Sequence, residues 1–263
     1  MRRSWLLIAL GLAGLAAGGW ILFRALTHEA SEPASVTAAI ARFQSLPRAA
    51  RTLPQALRGR APEPGVYVYG TRGFEVSHVL GTRRHPYAAD TAITVTIAPH
   101  HCLRSRWDTL ATRHDAILAC PRSDGGWRLI DQSEEHEFAG HVDRRTYACT
   151  LSSTYRPARP ATGTRWTSRC AIDGTTTADT SMVLGPRTLT LAGRRTRTLL
   201  IRTTTSVSGD TTGAGTAFTW VLPGTGLMVR RTIANANTTG TIVGDVRYEE
   251  RAALALSQLR PHR

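Results

Sequence analysis

Lysine is absent from this 263-residue chain, so its 33 Lys-plus-Arg positions are all arginine. With so much Ala, Gly, Thr and Pro alongside, the choice of arginine reads as the coding bias of a high-GC bacterial genome. Also missing are the short motifs that announce chemistry. No Gly-x-Ser-x-Gly nucleophile elbow, P-loop or Gly-x-Gly-x-x-Gly phosphate cradle occurs, and no His-Glu-x-x-His pair is present. None of the four cysteines forms a Cys-x-x-Cys pair, which leaves zinc-ribbon and thioredoxin-type readings without support. No acidic pair stands out as a general acid and base. An enzyme is therefore not expected, and neither is a metal or a cofactor.

What is present begins with an uninterrupted apolar run, Trp5 to Phe23, behind Arg2 and Arg3. In a helix it would span about 29 Å, close to the hydrocarbon thickness of a bilayer. Its length favours an uncleaved anchor; a cleavable export signal is the competing reading. The arginines before the run place the N-terminus in the cytoplasm and the remainder outside it. The expected organisation is an N-terminal stub and transmembrane anchor over 1–26, a Pro/Ala/Arg-rich linker over 27–63, and an extracytoplasmic β domain over 64–263. Within the linker, Val36, Ile40, Phe43 and Leu46 fall at helical spacing, which predicts a short amphipathic helix.

The formal charge of +14 suits the expected location on a membrane surface, where anionic headgroups or anionic envelope polymers attract arginine. Nucleic acid is not expected, because the arginines are scattered over strands and turns. The short groups Arg194-Arg195-Thr196-Arg197 and Arg230-Arg231 read as solvated strand faces.

Beyond Pro64 the hydrophobic pattern has period two. Ile93, Val95 and Ile97 alternate with threonines, as do Phe218, Trp220 and Leu222 with Thr219 and Val221. Near the end, Ile242, Val246, Tyr248, Ala252, Leu254 and Leu256 share one face, while Asp245, Arg247, Glu249 and Arg251 take the other. Strict alternation marks strands covered on one side, the usual state of antiparallel sheets. Turn signals such as Asp124-Gly125-Gly126, Asp173-Gly174 and Pro223-Gly224 recur, and no helix-length amphipathic segment intervenes. The fold class is all-β, an antiparallel meander of about ten to thirteen strands.

Four cysteines in an exported domain suggest two disulfides, and hairpin geometry favours Cys102–Cys120 and Cys149–Cys170. The first is centred on a turn near Ala111 and the second near Arg159-Pro160. Each closes a loop of about twenty residues and stabilises by roughly 3 kcal/mol. His100-His101 beside Cys102 is better read as a turn than as a zinc site, since neighbouring strand residues point apart. Glu134-Glu135-His136-Glu137 with His141 and Asp143 lacks the helical spacing that a metal site there would need. The aromatic residues Tyr67, Tyr69, Trp107, Trp127, Trp166, Trp220 and Tyr248 lie on predicted strands and serve first as core.

The stretch Phe218–Arg230, FTWVLPGTGLMVR, resembles a strand–turn–strand of lipoprotein-carrier (LolA-like) envelope proteins. AGRRTRTLLIRTTT, the turn SGDTTG and PATGTRWTSRC are similar to the hairpins that precede it there. The chain as a whole resembles membrane-anchored envelope proteins of high-GC bacteria. The resemblance covers about 157–259 and implies a strongly curved antiparallel sheet, a half-barrel or open barrel whose concave face holds an acyl chain or another apolar ligand. The expected function is non-enzymatic binding of a lipid or amphiphile, with Trp220, Val246, Tyr248 and Leu254 as the candidate lining. The alternative is an envelope interaction or scaffold module with no small ligand.

Overall fold

The computed structural model describes residues 34–78, 82–138, 141–241 and 244–263. The apolar run 5–23, and with it the expected membrane helix, lies outside the described residues. Among those described, no helix is long and apolar enough to cross a membrane.

From residue 65 onward the described strands all pair antiparallel: β1 (Gly65–His78), β2 (Thr82–Pro86), β3 (Asp90–Ile97), β4 (Leu103–Leu110), β5 (Arg113–Pro121), β6 (Trp127–Phe138), β7 (His141–Cys149), β8 (Thr154–Arg156), β9 (Arg165–Ile172), β10 (Thr175–Leu191), β11 (Arg194–Gly209), β12 (Thr211–Val221), β13 (Met228–Thr241) and β14 (Gly244–Leu256). Threonine, valine and the aromatic residues dominate these segments, and their side chains suit a pleated, half-buried surface. β2 and β3 share one edge of β1, and β8 continues β7 along β6, so the fourteen strands form twelve staves.

The expected half-barrel or open barrel is corrected by the last pairing. β14 bonds to β13 on one edge and to β1 on the other, from Tyr69 opposite Leu256 to His78 opposite Arg247, and the sheet closes on itself. Two terminal strands left open would each expose a row of unpaired backbone groups, and joining them satisfies both rows. Closure needs an unusually close approach at Gly73, whose φ is 155°. A Cβ there would sit 2.2 Å from the carbonyl oxygen of Arg251, so only glycine fits.

A second seam is much thinner. β7 meets β9 only through Ala148 opposite Ala171 and Cys149 opposite Cys170 among the described residues, and the Cys149–Cys170 disulfide lies at that point. Ser153 reinforces it, its hydroxyl donating to the Arg169 carbonyl and accepting from the Arg169 amide, both at 2.9 Å. Both expected disulfides are present. Cys102–Cys120 staples the β4–β5 hairpin, as the turn near Ala111 implied. Cys149–Cys170 is not a hairpin staple, because β8 intervenes between its cysteines and pairs back to β6.

Ahead of the barrel, α1 (Val36–Ser45) begins where the Ser35 hydroxyl accepts from the Ala38 amide, and gives way at Pro47 after Leu46 turns extended. Its buried face carries Ala39 and Phe43, packed on Val66 of β1 and Ala92 of β3. Arg42 of α1 pairs with Asp108 of β4. A short helix α2 (Arg48–Arg51) and a 3-10 turn (Gln55–Leu57) follow, and Leu57 and Ala61 join the main barrel core beside Leu227 and Val229. The arginine-rich linker therefore packs along the barrel and into its core.

Candidate ligand-binding cavity

Period-two alternation sends every second side chain of a closed sheet inward, and twelve staves enclose more space than small side chains fill. The result is an interior cavity of about 510 Å³, within the range of small-molecule sites. One part of its wall is apolar: Tyr69, Ile93, Val95, Leu103, Trp127 and Leu254, with Leu227 and Ile233 beside them. Two aromatic tips along this wall, those of Tyr69 and Trp107, are satisfied. Tyr69 Oη donates to the Met228 carbonyl at 2.7 Å, and Trp107 Nε1 donates to Thr91 Oγ1 at 3.2 Å.

Farther along the same strands the wall becomes charged. Arg113 of β5, with its side chain only 9% exposed, faces Glu75 of β1, Asp115 of its own strand and Glu250 of β14. Its guanidinium also donates to Tyr248 Oη, and Tyr248 Oη donates to Glu75 Oε2 at 3.1 Å. Glu250 is held independently: Tyr87 Oη donates to Oε1 at 2.6 Å and Asn235 Nδ2 to Oε2 at 3.0 Å. The partners of Arg113 come from three staves, Glu75 from β1, Asp115 from β5, and Tyr248 and Glu250 from β14, and barrel closure brings β1 and β14 together.

Across the β5–β6–β7 ladder, Asp115, Glu134 and Arg145 stand directly opposite one another. Two carboxylates facing across a strand pair repel. Burial and the charges of Asp115 and Glu250 push the Glu134 carboxyl up to about 7, against the pull of Arg113 and Arg145. Glu134 thus has a way to relieve the crowding, by holding a proton near neutral pH.

Arg231 of β13 lines the apolar part of the cavity. It lies opposite Leu254 of β14 and Thr219 of β12, with Ile233 in the core two residues on. Its buried Nε has no hydrogen-bond partner. Arg156, also in this part of the wall, donates to the carbonyls of Gly224 at 2.7 Å and Arg60 at 2.6 Å, pinning the linker to the β12–β13 turn.

Of the residues expected to line a site, Tyr248 and Leu254 face the cavity. Trp220 packs beside the core instead, with the Arg230 guanidinium 5.1 Å from its ring, and is not part of the lining. Val246 shares the parity of Tyr248 on β14 but lies beyond the lining, and Ile242 is outside the described residues. His100 and His101 occupy an exposed 3-10 turn at positive φ. The side chains of His136, Glu137, His141 and Asp143 are not among those described. Among the described residues, no group of three His, Cys, Asp or Glu side chains is arranged to hold a metal.

Arg113 and Glu250 escaped the sequence reading, Glu134 entered it only within the rejected metal cluster, and Arg231 only as part of a solvated face. Parity was an available signal for two of them: Glu250 has the register of Tyr248 and Ala252, and Arg231 that of Ile233. The reading of Arg230-Arg231 as one solvated face is corrected, since Arg230 is exposed while Arg231 turns inward.

No protein-family model and no curated protein matches the chain. Among solved structures, it is similar to the hypothetical lipoprotein YmcC from Escherichia coli (K12), with 12% identity, a TM-score of 0.34, and 82% of this chain and 94% of that chain covered.

Proposed function

We propose that this chain is a membrane-anchored extracytoplasmic barrel that binds an apolar or amphiphilic ligand in its interior and catalyses no reaction. The observation that carries the reading is the cavity of about 510 Å³ inside the barrel, one part of its wall formed by Ile93, Val95, Leu103 and Leu254 and the other by polar and charged side chains. Apolar lining with a few convergent polar groups is the usual construction of a ligand pocket. The anchor rests on the run 5–23, its orientation on Arg2 and Arg3, and the external placement also on the two disulfides, which persist in oxidising compartments. The basic exterior supports electrostatic attraction to anionic headgroups or envelope polymers.

A scaffold with no small ligand would work through a contiguous apolar surface. The large exposed apolar side chains among the described residues are Val142, Leu151, Tyr155 and Leu259, spread over separate segments, which favours the interior as the binding surface.

Native mass spectrometry of the full-length chain, released from a detergent unlike any cellular lipid, tests the reading. The expected result is an amphiphile of stoichiometric mass, diminished when the cavity is filled by Ile117→Trp or Ala119→Trp in a protein that still melts cooperatively. A ligand-free chain, or variants that retain the same adduct, would overturn it.

A further inference from the structure

Resting on that reading, we infer that the cavity recognises an oxyanion headgroup, a carboxylate or a phosphate on an apolar chain, through Arg231 of β13. A guanidinium inside a barrel needs partners, because a desolvated charge is costly unless it is paired and hydrogen-bonded. Arg113 shows what this barrel does when it satisfies an interior arginine itself: Glu75, Asp115 and Tyr248 all reach it. Arg231 has no such shell. Arg231 is half-buried, its Nε is buried and unpartnered while its terminal nitrogens are not, and among the described residues no carboxylate lies within ion-pair distance of its guanidinium.

The surroundings of Arg231 are apolar or already committed. Leu254 stands opposite it, and Ile233, Tyr69, Trp127 and Leu227 complete this part of the wall. The Tyr155 phenol is protonated at neutral pH, so it supplies a hydroxyl and no negative charge. Arg156 adds a second positive charge, with its own guanidinium nitrogens donating to two backbone carbonyls. A carboxyl group can shed an unpaired charge by taking a proton, an option closed to guanidinium. The missing partner at Arg231 is therefore an external anion. Planar guanidinium matches two oxygens of a carboxylate or phosphate at once, which gives direction as well as attraction.

The opposite part of the cavity sets the orientation. Glu250 pairs with Asn235, four residues along β13 from Arg231, or roughly 13 Å at strand spacing. Asp115, Glu134, Asp179 and Glu250 lie toward that end, where Arg113 and Arg145 are the only arginines of the lining. An anionic head is repelled there and attracted at Arg231. The chain of the amphiphile then runs from Arg231 along Ile93, Val95 and Ile117.

Full-length protein in nanodiscs of zwitterionic lipid is exposed to three diazirine-bearing twelve-carbon probes: dodecanoate, dodecyl phosphate and dodecyltrimethylammonium. Photolabelled peptides are then mapped. The two anionic probes are expected to label cavity strands about tenfold more than the cation. Arg231→Met should remove that preference and Arg231→Lys should restore part of it. Arg230→Met, one residue away on the outer face, should leave it unchanged and guards against a general effect of removing charge. Competition by inorganic phosphate separates a free-anion site from a headgroup site: relief of labelling by millimolar phosphate supports the oxyanion chemistry without the chain. Equal labelling by all three probes, or a preference that survives Arg231→Met in a protein with wild-type near-ultraviolet circular dichroism, overturns the inference while amphiphile binding stands. Absence of cavity labelling by any probe overturns the binding reading itself.

Discussion

Two arginines point into the same barrel and meet opposite conditions. Arg113 is ringed by Glu75, Asp115, Glu250 and Tyr248, drawn from three staves. Arg231 sits opposite Leu254 with no carboxylate in reach among the described residues. The first environment is a finished structural element whose charges answer one another. The second is a charge left for something else to answer. The two ends of one cavity thus differ in how their charges are satisfied, and the proposed division between stability and binding is open to test at each end.

Breaking the Arg113 end should have the largest effect. Arg113→Met leaves Glu75, Asp115 and Glu250 crowded without their cation, and chemical denaturation should register a loss of about 3–5 kcal/mol. Next comes Glu134, whose carboxyl is raised to about 7 by burial and by Asp115 and Glu250. A carboxyl raised in the folded state contributes its full stability below the unfolded value, near 4.3, and loses it as pH rises through about 7. Glu134→Gln should therefore stabilise the protein by roughly 3 kcal/mol at pH 8 and be neutral at pH 4, as read from melting curves across that range. The smallest effect, and the most telling, is at Arg231. Arg231→Met removes an unanswered charge from an apolar wall and should raise the stability of ligand-free protein by up to about 1 kcal/mol. A loss like that of Arg113→Met would show that Arg231 has a partner within the chain and end the contrast.

A separate pH signature tests the docking of α1 on the barrel. Burial alone would raise the Asp108 carboxyl, but His114 Nδ1 3.0 Å away, the hydrogen bond from Arg106 and the charge of Arg42 hold it down to about 2. A depressed carboxyl contributes stability above its unfolded value, near 3.9, and loses it as pH falls toward 2. Asp108→Asn should cost about 2 kcal/mol at pH 7 and little at pH 2, with loss of α1 protection in hydrogen exchange at neutral pH.

Much of the barrel was legible in the chain. The alternation of Tyr248, Ala252, Leu254 and Leu256 is that of an inward face, and Cys102 and Cys120 flank a hairpin turn at the expected place. Closure was not legible, because pairing of the first strand with the last joins residues about 180 positions apart, and no local pattern encodes it. What permits it is a single glycine, Gly73, where Arg251 approaches too closely for a side chain. The site was half legible for a related reason. Parity already turns Glu250 and Arg231 inward, whereas their partners depend on which staves face each other across the interior.

By itself, then, the sequence determined an apolar run long enough for a membrane, an all-β antiparallel domain, two disulfides and the inward face of β14 from Tyr248 to Leu256, though not that of β12 and β13, where Trp220 and Arg231 were placed on the wrong sides. These are local properties, set by helix rise, pleat period and loop closure. Tertiary structure alone decided that the sheet closes, that a cavity remains, and that Arg113 is surrounded while Arg231 is not. Those outcomes depend on distances between staves remote in the chain, and a charge is satisfied or stranded only by what closure brings within a few ångströms of it.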